Sequence, residues 1–158
     1  MARWSFGVGG KIATTIYFDE PTNACWFGSD AGDLRVFTVL GQSTRILGSG
    51  WNDAVSVLPC VDGLTLVVVV ASGDIFIVAR DRADRAGATP AASIGIQVIA
   101  ADRLGNGDVV ALDVEGRVHR FVPPSGDLVV LVDNVAEATH IAVDDANPIS
   151  RPTDMSTA

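Results

Sequence analysis

The chain has 158 residues, 48% of them hydrophobic and 19% charged, which is enough apolar content for one packed domain and excludes a disordered chain. Its net charge of −8, with 19 acids against 11 bases and no basic stripe, repels phosphate backbones and sets nucleic acid aside as a partner. The longest apolar run, LTLVVVVA at residues 64–71, is too short to cross a bilayer as a helix, so no membrane partner is expected.

The first fifteen residues, MARWSFGVGGKIATT, lack the apolar core of a signal peptide, and a cytoplasmic location is the default expectation. GVGGK (7–11) lacks the spacing and the following Ser/Thr of a phosphate loop and reads as turn glycine. RWSFGVG (3–9) reads as a single strand. Then comes ATTIYFD (13–19), a turn DEPTN, the run ACWFGS (24–29), a tight turn at Gly32, the alternating run DLRVFTV, and a further strand at TRILGSG (44–50).

The same order returns twice. AVSVLPC (54–60) precedes a CVDG turn, TLVVVVA (65–71), a turn at Gly73 and DIFIVAR; IQVIAAD (96–102) precedes DRLGNG, DVVALDV (108–114), a turn at Gly116, RVHRFV and DLVVLVDN (127–134). The turn glycines Gly32, Gly73 and Gly116 lie 41 and 43 residues apart, a spacing that marks a stacked supersecondary unit. In the second unit the place of the last strand holds RADRAGATPAAS (82–93), whose Ala, Gly and Pro predict a degenerate strand or a loop. THIAVDDANP (139–148) repeats the opening strand a fourth time, and 149–158 reads as a polar tail after a single domain at 1–148.

With the strands of one unit called a to d, the chain reads d, abcd, abcd, abcd, a. Four antiparallel strands in about 42 residues is the dimension of a β-propeller blade, so the expected fold is all-β, a partial propeller of three blades plus spare strands. A β-sandwich is the rival, since short strands at even spacing also suit it. The stretch VIAADRLGNGDVVALDVEGRVHRFVP (98–123) resembles WD-repeat-like and tachylectin-like blades, and the resemblance extends over about three repeats, 12 to 144. It implies a fold rather than a function, and the Gly-His and Trp-Asp marks of true WD repeats are absent.

No catalytic constellation is legible, so no enzyme activity and no cofactor are expected. His119 stands where the other units have Arg35 and Phe76, a packing position; His140 is a lone polar residue near a strand entry. The acid pairs Asp19/Glu20 and Asp144/Asp145 read as solvated turn residues. DRLGNGD resembles a calcium loop but places Leu104 where a ligand belongs, and Cys25 and Cys60 have no metal spacing, so no metal is expected. The two cysteines read as free thiols in apolar strands, with a disulfide between them possible but not demanded.

The candidate binding residues are Trp51, Asn52 and Asp53 in the Gly-rich GSGWND connection, with Glu137 and His140 on the same side. Trp51 either caps the core or offers an aromatic binding surface. Three blades do not close a typical ring, so either copies of the chain or another subunit complete it, or the three blades pack as a smaller barrel-like body; completion by a second copy or subunit is the expectation. The expected function is a non-enzymatic binding or scaffold module that engages a protein partner and self-associates; a repeat-type carbohydrate-binding lectin is the alternative, with sugar as its ligand.

Overall fold

The computed structural model describes residues 13–133 and 141–142, and its strands form three separate four-stranded antiparallel sheets. The first contains β1 (Ala13–Asp19), β2 (Ala24–Ser29), β3 (Leu34–Thr38) and β4 (Ser43–Gly48). The second contains β5 (Ala54–Pro59), β6 (Thr65–Val70), β7 (Asp74–Ala79) and β8 (Pro90–Ser93). The third contains β9 (Val98–Arg103), β10 (Val109–Asp113), β11 (Val118–Val122) and β12 (Asp127–Val132). Each sheet is a simple meander with consecutive strands adjacent, and among the described residues a single 3-10 turn, Glu20–Thr22, interrupts the strands. The first strand of each sheet packs on the first strand of the next, β1 on β5 and β5 on β9, which is the inner wall of a propeller arc and not a sandwich.

The repetition reaches the irregularities. One residue is bulged from each first strand (Thr14, Val55, Ile99) and one from each last strand (Leu47, Ala91, Leu131). A bulge adds local twist at a set position, so three blades with the same bulges carry the same twist and stack.

Stacking explains the hydrophobic pattern. Leu66, Val68 and Val70 of β6 join Trp26, Leu34 and Val36 of blade 1, whereas Val67 and Val69 join Val109, Ala111 and Phe121 of blade 3. The middle blade is covered on both faces, and that is why its central strand is an unbroken run of Leu and Val instead of an alternation. The tight turns between the second and third strands carry Gly32, Gly73 and Gly116 at φ of +87°, +98° and +82°. Ser29 and Asp113 end their strands as buried polar residues whose oxygens accept the amides of Asp33 and Arg117 across the turn.

Of the two expectations for 82–93, a degenerate strand or a loop, the structure has the degenerate strand, shortened to four residues and starting on Pro90. The residues before it do something the repeat pattern does not show. Ala83 and Arg85 donate their amides to the carbonyls of Leu47 and Ser49, so this excursion runs back along the end of β4 and ties blade 2 to blade 1. Gly48 permits the approach: a Cβ there would lie 2.2 Å from Ala83 backbone atoms. The spare strands read at 3–9 and 139–148, apart from Ile141 and Ala142, and the domain boundary at 148 lie outside the described residues. No helix among the described residues is long and apolar enough to cross a membrane.

Candidate protein-docking face

The arc has two loop-bearing sides. The tight turns and the linkers between blades lie on one; the a-to-b and c-to-d connections lie on the other. Of the candidate residues read from the sequence, Trp51, Asn52 and Asp53 lie on the first side. There Trp51 is 1% exposed, its ring meeting Phe76 edge-on at 5.1 Å between centroids. The guanidinium of Arg85 lies 4.9 Å from the centroid of Trp51 and 4.7 Å from that of Phe76, and is paired with Asp53 at 2.8 Å. Trp51 is therefore a core residue under a cation lid, with Asp53 fixing the lid. Asn52 is exposed beside the Gly32 turn. Glu137 and His140 lie outside the described residues.

The histidine of blade 3 is buried with a partner. His119 Nε2 lies 2.8 Å from Asp113 Oδ2, and Asp113 also accepts the amides of Glu115 and Arg117. Burial opposes the charge on Asp113, but the His119 hydrogen bond, the Arg117 amide and the nearby positive charges outweigh it and hold the carboxyl below the usual carboxylate range. The pair locks the turn at Gly116. Among the described residues no three ligating side chains converge as a metal site. Burial raises both thiols, Cys25 and Cys60, above the ordinary value, which keeps them protonated.

On the inner wall, a cavity of about 270 Å³ is lined by Thr15, Tyr17, Ser56, Asp102 and Ile141, among others. Below it Arg103 of blade 3 reaches across to Asp19 of blade 1 at 3.6 Å, both side chains 12% exposed. Ser56 Oγ donates to the Ala101 carbonyl, so its hydroxyl is committed to holding blade 2 on blade 3.

The other side carries what the sequence reading did not single out. Val61 and Leu64 stand on the a-to-b turn of blade 2, 67% and 72% exposed. The turn is rigid: Asp62 accepts the amides of Leu64 and Thr65 and the Thr65 hydroxyl, and these bonds hold its carboxyl below the usual range. Val61 rests on Gly107 of blade 3, where a Cβ would meet its Cγ1 at 2.8 Å. Between them opens a crevice of about 160 Å³ with Ile77, Asn106, Pro123 and Pro124 in its wall. Leu40, 85% exposed in the c-to-d turn of blade 1, lies on the same side. The sequence held a signal for this, since CVDGL puts two large apolar residues around an Asp-Gly turn, where polar ones are usual.

No family model matches the chain, and no curated protein matches it. Solved structures do. An auxiliary nutrient binding protein from Bacteroides thetaiotaomicron superimposes with a TM-score of 0.63 at 15% identity over 85% of this chain and 34% of its own. The computationally designed Ika4 protein gives 0.61 at 16% identity over 92% of this chain and 89% of its own. The C-terminal WD40 domain of Sif2 gives 0.56 at 11% identity over 82% and 40%. The chain thus spans about a third of the nutrient binding protein's length. At these identities the likeness shows the fold, a WD-repeat-like arc of β-propeller blades.

Proposed function

We propose that the chain is a non-enzymatic binding or scaffold module of β-propeller type that engages a protein partner and self-associates. The observation that carries this is the pair of exposed apolar side chains, Val61 and Leu64, held out by a rigid turn beside the crevice between blades 2 and 3. Apolar anchors next to a preformed crevice are the usual core of a protein-docking surface. The likeness to a WD40 domain supports the same class at the level of the fold. The carbohydrate reading has no comparable support, since both described tryptophans, Trp26 and Trp51, are buried.

The test is peptide display against the full chain, with the Leu64→Asp variant as control. The reading predicts that peptides with an apolar anchor are selected and lose at least tenfold in affinity against the variant. Absence of binders, or binders indifferent to Leu64, overturns it. Light scattering across a dilution series tests the self-associating part, with a dimer or larger assembly expected.

A further inference from the structure

The outer strands of the three blades are equivalent in place and unequal at their free edges. β4 sets Ser43, Thr44 and Arg45 along its first half, with Arg45 held by Asp81 at 2.8 Å, and its one exposed apolar residue, Ile46, stands beside that arginine. β8 is four residues long and begins on Pro90, which has no N–H to offer a neighbour. Charge, brevity and proline are devices that keep a sheet edge from pairing with another chain. β12 has none of them after its first residue, Asp127. Leu128 to Val132 is apolar without a break, with Val129 55% and Val130 49% exposed, and β12 is the last strand of its sheet. Val129 pairs with Arg120 as Arg45 pairs with Val36, so an exposed valine stands in blade 3 where blade 1 has its protecting arginine.

We propose that β12 is a self-association edge whose occupant is β12 of a second copy, laid antiparallel across a twofold axis. This rests on the self-associating reading above. Two features select a second copy over a foreign strand. First, in an antiparallel pair centred on the regular segment 127–130, Leu128 and Val129 of one copy face Val129 and Leu128 of the other, so apolar residues meet at the middle of the pair and the acid Asp127 stays at its end. Second, the strand's acids lie only at its ends and have local partners: Asp133 faces Arg117 at 3.8 Å, and Asp127 accepts from Ser125 at 3.2 Å. No charge is buried by the pairing. The bulge at Leu131, common to all three outer strands, limits regular ladder bonds to 127–130; the side chains beyond it add apolar contact. The apolar surface covered is on the order of a few hundred Å² per copy, less than a permanent interface uses, so the dimer dissociates on dilution.

Charge separates the two occupants. Two copies, each of net charge −8, repel, and added salt strengthens their pairing. A basic foreign strand on the same edge would be weakened by salt.

The experiment is sedimentation equilibrium of the full chain over a dilution series at low and high salt, with Val129→Arg, which imports the residue of blade 1. Hydrogen exchange over 127–132 at low and high protein concentration reads the same edge without any substitution. The expected results are a dimer favoured by salt, a dissociation constant raised at least tenfold by Val129→Arg, and amides of β12 protected only at high concentration. A dimer indifferent to Val129→Arg, with β12 exchange independent of concentration, overturns the assignment of this edge and leaves self-association standing. A monomer at every concentration overturns both, and leaves the crevice reading to its own peptide measurement. Exchange protection that appears only with a basic peptide, and is lost in salt, overturns the second copy as occupant.

Discussion

Trp51 Nε1 donates to the carbonyl oxygen of Ala83, 32 residues away, at 2.5 Å in the buried junction of blades 1 and 2. Trp51 belongs to the linker between the blades and Ala83 to the excursion before β8, so one side chain joins the linker to the segment that departs from the repeat. Trp51→Phe keeps an aromatic ring but removes the indole N–H and part of the buried volume, leaving the Ala83 carbonyl without this partner. A loss of about 1–3 kcal/mol in urea denaturation is expected. Trp51→Ala also empties the site under Arg85 and should cost about 3–5 kcal/mol. A Phe variant as stable as wild type would show that the bond contributes nothing.

Asp113 sets an acid limit on stability. Its folded carboxyl titrates below the unfolded value of about 3.9, so its stabilising effect is complete above that value and is lost as pH falls through the folded one. Exposed Asp62 titrates in the same direction. Stability should therefore be level from neutrality down to about pH 5 and decline below about pH 4. Asp113→Asn should lower stability at pH 7 by about 1–3 kcal/mol and flatten the acid slope. An unchanged slope in the variant would place the acid loss at other carboxylates.

Two glycines are held by different constraints, and melting temperatures can separate them from a third. Gly73 has φ +98°, and a Cβ there would lie 2.3 Å from the Ile96 carbonyl oxygen; Gly48 is limited by the approach of Ala83 alone. Alanine at either should cost about 1–3 kcal/mol, since backbone must move. Gly63, at φ +70° with nothing within 4 Å of a Cβ, carries only the left-handed strain and should lose about 1–2 kcal/mol on the same change. A Gly48→Ala variant as stable as wild type would remove the close approach as a constraint.

Cys25 and Cys60 are free and held protonated by burial. Native protein at pH 7 should react with a maleimide at least tenfold more slowly than denatured protein, with half-exposed Cys60 ahead of Cys25. Rapid labelling of Cys25 would mean that blade 1 opens readily.

The order of the strands was legible because short alternating runs, Asp/Asn/Pro turns and three equally spaced glycines each report on a few neighbouring residues. Such local rules also placed His119 at a packing position. Its partner Asp113 was not found, because pairing across a turn depends on which strand ends face each other. The strand at 90–93 was nearly invisible: Pro-Ala-Ala-Ser has little β propensity, and its pairing with β7 supplies what propensity lacks. Trp51 stood in the sequence between a core role and a binding role. Ala83 and Arg85 decide it by covering the ring from another blade.

The repeat, the turns and the faces along each strand are properties of residues close in sequence, and the sequence determined them. Alternation states which side chains share a face. It does not state what covers that face, and here the cover is always another blade, tens of residues away. Only stacking buried both faces of β6, set Val61 on Gly107 beside a crevice, and left Val129 in the open where Arg45 guards the first blade.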